Sequence, residues 1–196
     1  NFKSGVSFKD VFALYDFDRK LRVLIDEMLE VIEIAMRSRI AYHLAHQYGT
    51  FAHEEASIFQ LDGQGHRPDF DHTKWITEVH NSAIDSLNSN SLFLEHYNDT
   101  YEGFPKLPIW MAVEIMSFGK LSLLFSYLLK PDQKAISLKL NMKAPVLVSW
   151  LRNFSFVRNI CAHHSRLWNR DMSVALKMPY DNAFLQSLNR KRIGSV

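Results

Sequence analysis

An all-α fold is predicted by three features of the chain. Only seven Gly and six Pro punctuate 196 residues, too few for the frequent turns that sandwiches and barrels need. From Leu21 through Leu24, Ile25, Met28, Ile32, Ala35 and Met36 to Ile40, apolar residues recur at a helical period with no Pro or Gly before Gly49. A second apolar run, Ile109 to Leu129, follows Pro105 and Pro108, and proline is tolerated in a first helical turn.

The elements follow in order. After Asp18 the first period predicts a helix of about thirty residues, about 45 Å long. Glu33 and Arg37 lie on it in the favoured i,i+4 order for an ion pair. Residues 49–71 carry Gly63, Gly65 and Pro68 and are read as the most variable loop. Its Gly-Gln-Gly fragment is not a phosphate loop, because no strand precedes it and the third glycine is missing. Asp71 is a candidate cap for a helix from His72 to Leu87, and a shorter helix is predicted over Leu92 to Tyr101. The helix from Pro108 to Leu129 is apolar on most of its circumference and is expected to be the central, most buried element. Glu114 within it belongs at a rim or opposite an Arg or His. Pro131 ends it, Asp132 to Met142 forms a short amphipathic helix, and Pro145 opens a last helix running to about Trp168. Arg190-Lys191-Arg192 makes a small basic tail.

Composition limits the function. With 47% hydrophobic and 22% charged residues the chain is globular in type, and one domain over 1–196 is expected. A net charge of +2 is too small to specify a nucleic-acid partner, so local clustering must do so. The single cysteine, Cys161, excludes an intrachain disulfide and a thiolate zinc cage, and suits a cytoplasmic location. Its ordinary use is as a small buried apolar side chain. No Met begins the chain and Asn1-Phe2-Lys3-Ser4-Gly5 lacks the apolar core of a signal peptide, so an interior fragment of a longer protein is expected. Glu114, Lys120 and three serines interrupt the run Ile109–Leu129, which favours a buried helix over a membrane span.

The chemistry concentrates in Arg158-Asn159-Ile160-Cys161-Ala162-His163-His164-Ser165-Arg166-Leu167-Trp168-Asn169-Arg170. On a continuous helix Asn159, His163, Arg166 and Arg170 share a face, whereas Arg158 and His163 diverge by about 140°. One Arg and one His without a carboxylate cluster suit RNA cleavage by its own 2′-hydroxyl. That reaction needs a base, an acid and a cation for the phosphorane charge. Histidine serves as acid or base near neutrality, and guanidinium binds phosphate oxygens in a planar, bidentate way. Two jobs for one imidazole call for a two-fold dimer with both motifs in a shared cleft. The plainer reading is that the Arg-Asn pair cross-links helices, the histidines fill a polar cavity and Trp168 is core. No metal site or cofactor is expected. Adjacent His163 and His164 project about 100° apart, and His53-Glu54-Glu55 does not continue into a zincin motif.

Three segments together resemble the AbiD/AbiF-type abortive infection (Abi-like) proteins of bacteria. Tyr15-Asp16-Phe17-Asp18-Arg19-Lys20-Leu21-Arg22, continuing to Ile32-Glu33 and Met36-Arg37-Ser38-Arg39-Ile40, is similar to the family's opening helix. Pro108 to Ser122 is similar to its central one, and Arg158 to Arg170 resembles its signature block. The resemblance implies the HEPN superfamily: a helical bundle with long antiparallel helices, whose Arg-x4-6-His motif serves metal-independent RNA cleavage in toxins and phage defence. It therefore implies catalytic roles for Arg158, Asn159 and His163. His164, Arg166 and Arg170 are supporting candidates for substrate contact, and Glu33 and Glu114 for holding Arg158 or His163. The implied partners are an RNA substrate, an RNA or protein antitoxin, and a second copy of the chain. The alternative is a non-catalytic RNA- or antitoxin-binding helical module.

Overall fold

The computed structural model describes residues 5–60, 70–171 and 176–179. Seven α-helices run through them, with no strand among the described residues: α1 (Phe8–Tyr48), α2 (His72–Asn88), α3 (Leu92–Thr100), α4 (Ile109–Ile115), α5 (Phe118–Tyr127), α6 (Lys130–Leu138) and α7 (Ala144–Ala162). The all-α prediction is met. The Gly63–Gly65 fragment and the basic tail at 190–192 lie outside the described residues.

Helix α1 is longer than its apolar period suggested, at 41 residues. Its extra length comes from a capping box: Ser7 Oγ accepts the Asp10 N–H at 3.3 Å and the Asp10 carboxylate accepts the Ser7 N–H at 2.9 Å. These two bonds satisfy amides that the first turn leaves without helical partners. Gly49 stops the helix at φ +98, a left-handed conformation that favours glycine. Two short 3-10 turns, Ala52–Glu54 and Ala56–Ile58, carry the chain onward. Helix α2 has the expected Asp71 cap, whose carboxylate accepts the Lys74 N–H at 2.9 Å.

The single central helix from Pro108 to Leu129 does not form. It divides at Met116, whose backbone is extended, and Ser117 caps the second half by accepting the Lys120 N–H at 3.3 Å. The break frees the Met116 carbonyl from the helical ladder, and Arg37 Nη2 donates to it at 2.7 Å. A buried tertiary partner thus replaces the lost intrahelical bond. Glu114 lies exposed at the rim.

Helix α6 begins at Lys130 with Pro131 in its first turn, so this proline opens a helix as well as closing the one before it. It ends at Leu138, short of the expected Met142. The main core gathers Met36, Ile40 and Leu44 from α1, Trp75 and Val79 from α2, Phe118, Leu121 and Phe125 from α5, and Leu147 and Leu151 from α7. A smaller cluster of Ile160, Cys161 and Leu167, packed against Leu21 and Ile25, fastens the end of α7 to the first half of α1. Cys161 is buried there, in the apolar role expected of it, and burial pushes its thiol pKa up. No helix among the described residues is long and apolar enough to cross a membrane.

Candidate functional site

Helix α7 ends at Ala162, six residues before the expected Trp168, and this reshapes the site. His163 is the C-cap, its N–H bonded to the Asn159 carbonyl at 3.0 Å. His164 takes the left-handed conformation (φ +53). Its N–H meets the Cys161 carbonyl at 3.1 Å, while the Ser165 N–H meets the Ile160 carbonyl at 3.0 Å. This pair of bonds is a Schellman closure, which satisfies carbonyls that the helix end leaves open. Asn159, His163, Arg166 and Arg170 therefore do not share one helical face. Arg166 and Arg170 stand on the segment beyond the helix, both exposed.

That segment is held from α1. Asp18 Oδ1 accepts the Leu167 N–H at 3.0 Å and the Trp168 N–H at 2.6 Å. Its other oxygen pairs with Arg22, whose guanidinium also reaches the Ser165 carbonyl at 3.4 Å. Asp18 and Arg22 are both buried. A buried carboxylate with an Arg and two amides is well satisfied, and no helical continuation would leave those two amides free for it. Trp168 is 46% exposed and meets Phe17 edge-on at 5.3 Å, so Leu167 is the core residue of the pair. Arg170 lies 5.8 Å above the Phe156 ring.

Arg158 meets α1 farther along the helix. Its Nε lies 3.9 Å from Glu33 Oε2, and Glu33 also pairs with Arg37. A chain of contacts therefore runs from the Met116 carbonyl through Arg37 and Glu33 to Arg158. The cavity beside it, about 270 Å³, is lined by Asp26, Glu30, Glu33, Ile34, Arg37 and Arg158. Three carboxylates against two guanidiniums make its interior unsuited to a phosphate. The Arg158 side chain is 43% exposed and its contact with Glu33 is long, so the pair holds it only weakly. Glu33 is thus the carboxylate that meets Arg158. Glu114 is not: it makes no ion pair or hydrogen bond among the described residues, because the break at Met116 leaves it on the outer rim of α4.

His163, His164 and Asn159 are exposed, and the two imidazoles have no hydrogen bond or ion pair among the described residues. Asn159, His163, His164 and Arg166 are each exposed at or just beyond the end of α7, where the Schellman closure and the Asp18 clamp hold the backbone. Sequence reading assigned no role to Asp18 and Arg22. Their i,i+4 spacing was the available signal, but it looks the same as any solvated helical pair. No group of three His, Cys, Asp or Glu side chains among the described residues is arranged to hold a metal ion.

Residues 1–169 match the family described as Abi-like protein. No curated protein and no solved structure matches the chain. With the match covering the capped first helix, the broken central pair and the clamped end of α7, the chain belongs to the Abi-like protein family.

Proposed function

We propose that this chain is a metal-independent endoribonuclease of the HEPN type, acting as a cytoplasmic toxin in bacteriophage abortive infection. Family membership supports a defence role. The observation that carries the chemical reading is an unpartnered, exposed imidazole, His163, on a backbone fixed from both sides. A general acid or base needs a ring nitrogen open to substrate, and an exposed imidazole that no protein group engages has one.

In the reaction His163 takes the proton of a ribose 2′-hydroxyl as that oxygen attacks the adjacent phosphorus. The 5′-oxygen leaves and receives a proton from His163 of the partner subunit, giving a 2′,3′-cyclic phosphate and a 5′-hydroxyl. Arg158, turned outward from Glu33, neutralises the phosphorane charge, and Asn159 orients the phosphate. His164, Arg166 and Arg170 contact the flanking strand. The five-residue step from Arg158 to His163 separates them by about 140° on a helix, and this supports assembly of each site from two copies.

The test is RNA cleavage by the full chain in EDTA, with and without a 2′-deoxy substitution at the scissile position. Cleavage should survive chelation and stop at the deoxy position. Cutting of the deoxy substrate, or loss of activity with EDTA, overturns the mechanism. RNA binding by both the wild type and His163→Ala, with cleavage by neither, would leave the non-catalytic binding module.

A further inference from the structure

A second cavity, about 260 Å³, opens between α1 and α6 and shares no residue with the Arg158 site; Ser38, Arg39, Tyr42, His43, Ile136 and Lys139 line it. No carboxylate faces into it. Behind its wall Asp132 is buried, and both of its oxygens are engaged: Oδ1 with His43 Nε2 at 2.7 Å and Oδ2 with the Tyr48 hydroxyl at 2.8 Å. The pairing fixes the His43 ring and leaves Nδ1 as its one uncommitted nitrogen. Burial and the Asp132 hydrogen bond push the Tyr48 phenol up to about 12, so it remains a donor to that carboxylate.

The two cations of this cavity have no acidic partner among the described residues. Arg39 makes no ion pair, and Lys139 Nζ rests 5.2 Å over the Tyr42 ring. Tyr42 is 58% exposed and stacked on His46 at 4.0 Å, with the ring planes inclined by 30°. Cations without an acidic partner, an oriented imidazole and an exposed aromatic ring covered only by the flexible Lys139 chain together match a phosphate carrying a planar base.

We propose that this cavity is a nucleotide-binding site. Arg39 and Lys139 hold the phosphoryl group, His43 Nδ1 accepts from a ribose hydroxyl, and Tyr42 carries the base. A base stacking on Tyr42 displaces Lys139 from the ring and turns it toward the phosphate, so both halves of the ligand are recognised together. The ligand's source is either a free mononucleotide or a nucleotide within an RNA strand. The site stands apart from the nuclease reading, since α7 contributes nothing to it.

The experiment is calorimetric titration of the chain carrying Arg158→Ala, Arg166→Ala and Arg170→Ala, which removes the guanidiniums of the other site from the RNA arm. Inorganic phosphate, AMP and hexauridylate are the probes. AMP should bind saturably and more tightly than phosphate. Arg39→Ala with Lys139→Ala should weaken AMP tenfold or more. Tyr42→Ala should weaken AMP while leaving phosphate unchanged. Hexauridylate binding tighter than AMP, and losing the same factor in the double variant, identifies the strand as the source; equal or weaker binding identifies the free nucleotide. If neither AMP nor hexauridylate binds saturably, or if the folded double variant binds both as the parent does, the proposal is overturned. The circular dichroism melt of each variant establishes that it is folded.

Discussion

Asp18 accepts the backbone N–H of Leu167 at 3.0 Å, 149 residues away along the chain. The segment that follows the histidine pair is thus held by a carboxylate from the opening helix, itself paired with buried Arg22. Asp18→Ala removes the partner of Arg22 and of two amides at once. The expected loss is about 3 kcal/mol of stability by urea denaturation, the cost of leaving a buried charge uncompensated. Under the proposed function cleavage falls as well, since the backbone beyond His163 loses its anchor.

His163→Ala should behave in the opposite way. Its imidazole is exposed and unpartnered, so stability should change by no more than about 0.5 kcal/mol. RNA cleavage should fall by about a hundredfold or more, the usual contribution of a general acid or base. A large drop in melting temperature would instead assign the residue to the scaffold.

Glu33 and Arg158 form an unequal pair. Glu33→Gln strips a charge from nearly buried Arg37 and should cost about 3 kcal/mol. Arg158→Ala breaks only a 3.9 Å contact of a half-exposed side chain and should cost less than about 1 kcal/mol. Thermal melts of the two variants side by side test the contrast, and equal costs would contradict the geometry.

His164 sits at φ +53, where L side chains are strained and glycine is not. His164→Gly should therefore keep the fold, with stability changed by about 1 kcal/mol at most and in the stabilising direction. Because the helix closure survives, any loss of RNA binding in this variant reports the imidazole itself. Unfolding curves and RNA titrations on one preparation separate the two.

His53 carries the acid sensitivity of the fold. It is fully buried, with neither ring nitrogen hydrogen-bonded; Glu54 Oε1 lies 3.7 Å from its Nε2 and 2.8 Å from His80 Nε2. Burial first, then the charges of His80 and His72, lower its pKa from 6.5 to about 4. Between those values the unfolded chain binds a proton that the folded chain refuses, so stability falls as pH drops from 6.5 toward 4, by on the order of 3 kcal/mol. Wild type and His53→Phe should converge or cross in urea midpoint over that range. Parallel curves would contradict the assignment.

Much of the fold is legible in local chemistry. The Asp71 cap, the Gly49 stop, the short α3 and the prolines that open α6 and α7 are each set by residues within one turn of the boundary. Periodicity did not mark the first ten residues of α1 as helix, although the resemblance took in Tyr15 to Phe17. Phe8, Phe12, Leu14, Tyr15 and Phe17 are largely exposed, so no buried stripe marks their period, and the helix there rests on the Ser7–Asp10 box. The division at Met116 was missed because apolar residues at helical spacing resume directly beyond it. Ser117 was a local sign, and the carbonyl released at Met116 is answered by Arg37, 79 residues away.

The sequence by itself determined that the chain is helical, where most of its helices start, and which short block gathers its imidazoles, guanidiniums and amides. Those properties follow from periodicity and from side chains acting on their own turn. Tertiary structure alone decided that α7 stops at Ala162, that Glu33 rather than Glu114 meets Arg158, and that Asp18 secures the segment beyond His163. Each of these depends on a buried polar group finding a partner far along the chain. The cost of leaving such a group unsatisfied is what selects the geometry, and no local pattern encodes which distant group will answer.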